Sequence, residues 1–197
     1  MDRKRLYVVV GVVIAAVASV VVLLLTGEAE PVRTFEDPGG DAMVGEGPSP
    51  PSDTALADIK TAEVREEDGE VVFEAKLGAP VPDEVPQGAF GLRWEVHEEG
   101  DSTFLITADL DVGPTASILS ERTDFGASTL EDSFPGSLEV AGDTITIRVD
   151  PAEVPRFPDE FAWLLKTSLD GDQGDPQSAR AEDQAPDSGL GQYPADS

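Results

Sequence analysis

Alternation of apolar and polar residues with a period of two, between residues 56 and 169, is the feature that most constrains the fold of this chain. In residues 71–77 the odd-numbered positions are apolar, and Glu74 and Lys76 fall between them. This pattern is typical of a β-strand that packs one face and exposes the other to water. Helical periodicity is nearly absent from the same region. The alternation therefore predicts an all-β domain of antiparallel strands.

Turn residues between the alternating segments predict three hairpins, with turns at 66–69, 98–101 and 141–143. Strands are predicted at 59–64, 71–77, 90–97, 104–110, 138–140, 145–149 and 161–169. Roughly seven to nine short strands without a crossover helix predict a β-sandwich of the jelly-roll or immunoglobulin-like type. Trp94 and Trp163 fall on the apolar side of their strands, so both are expected in its core.

An uncharged, mostly apolar segment at residues 6–25 directly follows Arg3, Lys4 and Arg5. At about 1.5 Å per residue a helix of this length covers about 30 Å, the thickness of the hydrocarbon core of a bilayer. The basic cluster predicts that residues 1–5 stay in the cytoplasm and that the C-terminal part is extracellular. We therefore expect a single-pass protein of the cell membrane with a signal anchor. The alternative is a signal peptide that is cleaved to release a secreted domain.

Composition divides the remainder of the chain. Residues 26–55 are rich in proline, glycine and acidic residues, which predicts an extended stalk. Residues 56–170 hold the alternating pattern and are expected to form the sandwich. Residues 171–197 are again polar, acidic and rich in glycine, so we expect a flexible tail.

The charge balance excludes several functions. With 13 Lys and Arg against 40 Asp and Glu, the formal net charge is −27, which argues against nucleic-acid binding. The absence of cysteine and the single histidine exclude the usual zinc sites, and no nucleophile-elbow sequence is found near that histidine. The protein is therefore not expected to be an enzyme. The carboxylates are explained either by a solvated acidic surface or by the binding of divalent cations.

Three short segments resemble a known family. They are the opening Asp37-Pro38-Gly39-Gly40-Asp41, the pair Asp58-Ile59 before the first hairpin, and the closing Asp183-Gln184-Ala185-Pro186-Asp187. Together they resemble exported β-sandwich domains of the DOMON-like or carbohydrate-binding family 9-like group. The resemblance implies a calcium ion held by Asp37, Asp41 and Asp58. The acidic run that follows the opening in that family is replaced by Ala42-Met43-Val44, which leaves fewer oxygen ligands.

Two further groups of residues are candidate sites. Asp170, Asp172 and Asp175 alternate with glycines and a glutamine, a spacing that suits calcium if carbonyls or waters complete six to eight oxygens. The alternative is a solvated turn. Arg93, Glu95 and His97 share the strand face opposite Trp94, and they form a candidate ligand-binding stripe. Its alternative is a wet sheet face with exposed ion pairs.

These observations predict a membrane-anchored extracellular β-sandwich that acts as a binding or accessory module at the cell envelope, with calcium as its implied cofactor. A cell-envelope polysaccharide is one expected partner. The alternative function is a structural or assembly protein that pairs with a basic protein. An extracellular hydrolase is a third, weaker hypothesis.

Overall fold

All regular elements that the computed structural model describes are β-strands. The described residues are 34–45, 54–85, 89–98, 101–110, 115–124, 127–170 and 180–194. The strands pair antiparallel in a strongly curled sheet with the shape of a half-barrel, so the predicted all-β antiparallel class is confirmed. In chain order they are β1 (Thr34–Glu36), β2 (Met43–Val44), β3 (Ile59–Glu67), β4 (Glu70–Leu77), β5 (Phe90–Glu98), β6 (Asp101–Asp109), β7 (Thr115–Asp124), β8 (Ala127–Ala141), β9 (Thr144–Val149), β10 (Phe161–Asp170), β11 (Arg180–Ala185) and β12 (Gly191–Tyr193).

The order of strands across the sheet is β1-β3-β4-β9-β8-β7-β6-β5-β10-β11-β2, and β12 adds to β10 beyond the end of β11. Strands β3 and β11 therefore stand near opposite ends of this order. The curl nevertheless brings them together, because the Ile59 amide on β3 donates a 2.7 Å hydrogen bond to Oδ2 of Asp183 on β11. We call this junction of the two sheet ends the seam.

The three predicted hairpins are confirmed. Strands β3 and β4 pair up to Glu67 opposite Glu70, and the turn residues Asp68 and Gly69 have φ angles of 55° and 86°. Positive φ at both positions gives a two-residue turn whose twist matches that of the flanking strands. The pairs β5–β6 and β8–β9 also form hairpins, at the turns predicted for them.

The core lies inside the curl, where the two ends of the strand order face each other. Phe73 of β4 packs edge-on against Trp94 of β5, with ring centroids 5.7 Å apart, and stacks on Phe161 of β10 at 6.1 Å. Trp94 and Trp163 are fully buried, as predicted. The apolar positions of residues 71–77 are all buried too, so the predicted inward face is confirmed.

The sheet extends beyond the range predicted for it, 56–170. Strands β1 and β2 lie within residues 26–55, which were predicted as a stalk, and β11 and β12 lie within the predicted flexible tail, 171–197. Both boundaries are corrected accordingly, and the described strands number twelve rather than seven to nine. Strands β1 and β2 pair with strands far away in the sequence, so no local turn indicates them. Strand β11 follows its partner β10 in the chain, but its sequence, RAEDQA, contains no apolar residue larger than alanine.

The membrane segment predicted at residues 6–25 lies outside the described residues. Among the residues that are described, no helix has the length and apolar character needed to cross a bilayer. The segment 150–156, which begins with an Asp and a Pro, forms hydrogen-bonded turns, including one from the Glu153 amide to the Asp150 carbonyl at 3.0 Å.

Candidate metal and ligand-binding site

The opening motif forms a tight loop after the edge strand β1. Its first residue continues the β1–β3 ladder, since the Asp37 amide donates to the Lys60 carbonyl at 3.0 Å. Gly39 and Gly40 then adopt φ angles of 71° and 82°, a left-handed conformation that glycine reaches without steric cost. This turn points the Gly40 amide at Oδ1 of Asp58, 2.6 Å away. The two glycines of the motif therefore wrap the loop around Asp58.

Asp58 is the most buried acid of the site, with 4 % of its surface exposed. Its Oδ1 accepts the Gly40 amide, and its Oδ2 pairs with the Lys60 ammonium group. Its main-chain carbonyl accepts the Gly78 amide at 2.7 Å. Asp58 is thus an anchor for the loop, and its charge already has a cationic partner.

Asp183 joins β11 to β3 at the seam. Its Oδ2 accepts a hydrogen bond from the main-chain N–H of Ile59 at 2.7 Å, and its Oδ1 accepts one from the main-chain N–H of Gln184 at 2.9 Å. Asp183 belongs to the closing motif identified in the sequence, but it was not predicted to be a metal ligand. Only the curl of the sheet brings it next to the opening loop.

Carboxylate oxygens converge at the seam in two overlapping groups. Asp41, Asp58 and Asp183 each place one oxygen within 4.8 Å of the others, and Asp37, Asp183 and Asp187 do the same. We call these five residues the acid cluster. It unites the three ligands implied by the family resemblance with two acids of the closing motif.

Asp37 is the acid of the cluster whose negative charge is least offset by hydrogen bonds or cations. Both of its carboxylate oxygens are buried, and neither accepts a hydrogen bond of ordinary geometry. Burial, followed by the charges of Asp183, Asp41 and Asp187, raises the pKa of Asp37 to about 7, against a smaller opposing effect of the Gly39 amide. The pKa of Asp183 is also raised, mainly by burial. The cluster is therefore short of positive charge, which a proton or a metal ion can supply.

The donor set fits a hard cation such as calcium, which prefers oxygen ligands. The fit rests on Asp37, whose two buried oxygens accept no well-formed hydrogen bond, and on Asp41 and Asp187, which lie within the two groups of close oxygens. Asp58 and Asp183 already accept hydrogen bonds, so their share in coordination depends on their remaining lone pairs. The Lys60 ammonium group competes with a cation for Asp58.

The second calcium candidate receives no such support from its one described member. Oδ1 of Asp170 accepts a 2.6 Å hydrogen bond from Nε of Arg180, and Asp170 belongs to neither group of close carboxylates. Asp172 and Asp175 lie outside the described residues.

The predicted stripe lies on β5, on the face opposite Trp94. Its centre is Glu95, whose side chain is 14 % exposed and which pairs with Arg93 at 2.8 Å and with Lys166 at 2.9 Å. His97 Nε2 lies 3.8 Å from Glu95 and is buried without a hydrogen-bond partner. Lys166 was not predicted as a member of the stripe, because it lies on β10 and only the strand register places it opposite Arg93.

A groove of about 910 Å³ connects the stripe with the acid cluster along the outer face of β5, β10 and β11. Arg93 and Lys166 line it together with three of the clustered acids, Asp41, Asp183 and Asp187. The predicted ligand-binding stripe and the predicted calcium site therefore both contribute residues to this groove. Glu95 and His97 do not line the groove themselves, although Glu95 pairs with Arg93 and Lys166, which do.

Similarity to known proteins assigns no family to this chain. Comparison with family models, with curated proteins and with solved structures finds no match. The resemblance to DOMON-like or carbohydrate-binding family 9-like domains therefore stays a prediction carried by the opening and closing motifs.

Proposed function

We propose that this chain is a membrane-anchored binding or accessory module of the cell envelope, with an extracellular β-sandwich stabilised by calcium at the acid cluster. The observation that carries the proposal is the convergence of the opening loop, Asp58 and the closing motif on one point of the seam. Membrane anchoring is inferred from the apolar segment at residues 6–25 behind its basic cluster.

The sandwich is proposed from the way the curled sheet packs on itself. Strands β1, β3, β4 and β9 would form one layer, and β5, β6, β7, β10 and β11 the other, with the long strand β8 passing between them. Support comes from the contact of Phe73 in the first group with Trp94 in the second, and from the edge-on contact of Phe35 with Trp163 at 5.3 Å. Both contacts join side chains across a shared apolar core.

Calcium at the seam would tie the two ends of the sheet together. Asp37 and Asp41 flank the turn that follows β1, whereas Asp183 belongs to β11 at the other end of the strand order. In the unfolded chain these carboxylates are distant in sequence, so the site exists only in the folded state. An ion that binds the folded state alone stabilises it by mass action, by about 2.7 kcal/mol at a hundredfold excess over its dissociation constant.

The test is a thermal melt of the full-length chain in detergent, followed by tryptophan fluorescence. Both tryptophans of the chain lie in the core, so the signal reports unfolding of the sheet. We expect calcium to raise the melting temperature relative to chelator at equal ionic strength. Asp41→Asn should lose most of this shift, because it removes a ligand charge from an exposed position.

Asp159→Asn is the matched control, since it removes one exposed carboxylate that belongs to neither group of close oxygens. A melting temperature that is equal in calcium and in chelator would show that calcium does not stabilise this domain. Equal calcium shifts in the Asp41→Asn and Asp159→Asn variants would place the ion elsewhere.

A further inference from the structure

We propose that the groove along β5, β10 and β11 binds a carboxylated oligosaccharide, and that Arg93 and Lys166 hold its carboxylate. This inference rests on the proposed function, because it assigns a ligand class to the binding module. Charge pairing differs between the two outer faces of the sheet.

Arg93 and Lys166 are direct cross-strand neighbours, and both of them pair with a single acid, Glu95. Like charges in this position repel each other, and one carboxylate neutralises only one of the two. Arg93 retains 49 % of its side-chain exposure and Lys166 36 %, whereas Glu95 lies deeper at 14 %. Glu95 therefore leaves one positive charge of the pair unpaired at this end of the groove. Arg180, the third cation of the lining, is paired with Asp170 and Glu182.

On the outer face formed by β3, β4 and β9, acids outnumber the arginines that they contact. Arg65 on β3 contacts three acids, Glu63, Glu67 and Glu74. Arg148 on β9 contacts Glu67 and Glu70. There both arginines meet more than one carboxylate and Lys76 meets one, Asp143, as expected in a chain with a net charge of −27. A deficit of acid at Arg93 and Lys166 is the exception, and a ligand carboxylate would correct it.

The rest of this part of the groove suits a hydroxyl-rich ligand. Thr107, Ser168 and Gln184 add neutral hydrogen-bonding side chains beside the two cations. Gly91 leaves room in the groove beside Ser168, since a Cβ at this position would lie 2.8 Å from Oγ of Ser168. The volume of about 910 Å³ falls within the range usual for ligand sites.

An acidic peptide fits this surface less well than a sugar chain. Extended peptides bind sheets mainly by adding a strand to a free edge, where main-chain groups are unpaired. The floor of this groove is a sheet face, and β5 and β10 are paired with strands on both sides. A glycan depends on side-chain contacts alone, which this face supplies.

The acids at the seam end of the groove make binding depend on calcium. Asp41, Asp183 and Asp187 would repel a ligand carboxylate unless a cation offsets their charge. We therefore expect the affinity for an acidic glycan to be higher in calcium than in chelator.

The test is calorimetric titration of the full-length chain in detergent with trigalacturonic acid, its methyl ester and triglutamate, in calcium and in chelator. We expect the free acid to bind best, and in calcium. Arg93→Gln and Lys166→Gln should each weaken its binding about tenfold, the effect of losing one charge-assisted hydrogen bond. Arg65→Gln is the matched control and should leave the affinity unchanged, because it removes an arginine from the other outer face.

Equal binding of acid and ester, tighter binding of triglutamate, no binding of the acid, or wild-type affinity of Arg93→Gln would each overturn the inference. A calcium-induced rise in melting temperature without any glycan binding would overturn this inference and leave the calcium-stabilised module standing. The same melt, run on Arg93→Gln, shows whether that variant is folded. Absence of both the calcium shift and glycan binding would refute the two proposals together.

Discussion

At the scale of single residues, Asp37 is the side chain that most clearly departs from ordinary protein chemistry. A carboxylate that is buried without a well-formed hydrogen bond is costly, because the ion loses its hydration and gains little in return. Its raised pKa, about 7, expresses this cost as a preference for the protonated form. A proton and a metal ion are thus alternative partners for the same group.

This preference makes stability depend on pH. The pKa of Asp37 is about 7 in the fold against 3.8 for an ordinary aspartate, so between these values the folded chain keeps a proton that the unfolded chain has lost. The contribution of this proton is full below pH 3.8 and is lost as the pH rises through about 7. In chelator we therefore expect the melting temperature to fall between about pH 5 and about pH 8.

Asp37→Asn should flatten that decline, since the amide has no proton to lose, whereas Asp159→Asn should keep it. The measurement is the tryptophan-fluorescence melt across this pH range. If Asp37→Asn declines as steeply as the wild type, the proton is held elsewhere in the cluster.

At the scale of elements, β8 is the long strand that changes its pairing partner along its length. Its residues 127–136 pair with β7, and Ser137–Ala141 pair with β9. The change of partner occurs at Gly136. A Cβ there would lie 3.0 Å from Cδ1 of Ile118 and 3.2 Å from Cβ of Ala116, so glycine allows close packing where the sheet curls.

We expect Gly136→Val to destabilise the fold by about 1–3 kcal/mol, the usual cost of overpacking a core. Urea unfolding followed by tryptophan fluorescence measures this difference. Ser137→Val is the control, because its side chain is exposed and valine suits a strand. Equal stability of the two variants would mean that the bend tolerates a larger side chain.

At the scale of the whole molecule, the net charge of −27 sets a background of self-repulsion in the folded state. Ion pairs on the outer face of β3, β4 and β9 reduce it locally, where Arg65 and Arg148 contact neighbouring glutamates. Over the whole sequence, 40 Asp and Glu outnumber 13 Lys and Arg about threefold, so the ion pairs can offset only part of this charge.

Sodium chloride should therefore raise the melting temperature in chelator. An increase from about 0.1 M to about 1 M shortens the screening length from about 10 Å to about 3 Å, which weakens repulsion between separated carboxylates. The melt should be repeated with the Asp41→Asn variant, whose response to sodium should match that of the wild type. A melting temperature that does not change with salt would show that the acidic surface costs the fold little.

Local patterns predicted three hairpins, because a hairpin is encoded by alternation and a turn within one short segment. Strand β7 and residues 127–136 of β8, which pair with each other, were not predicted. The inward face of β4 and the burial of Trp94 and Trp163 follow from the same alternation. Strands β1 and β2 escaped prediction because their partners are distant in sequence. Strand β11 escaped it because its sequence contains no apolar residue larger than alanine. The site divides in the same way, since Asp37, Asp41 and Asp58 were proposed from their motif, whereas Asp187 and Lys166 were not.

Local sequence and composition sufficed for the all-β class, three hairpins, the buried side of β4 and the acidic net charge, since each depends on neighbouring residues or on residue counts. Only the tertiary structure decided that the two ends of the sheet meet. That meeting places Asp183 against Asp41 and Asp58, and the register of β10 against β5 sets Lys166 opposite Arg93. Such contacts depend on the curl and register of the whole sheet, which no single segment of the chain encodes.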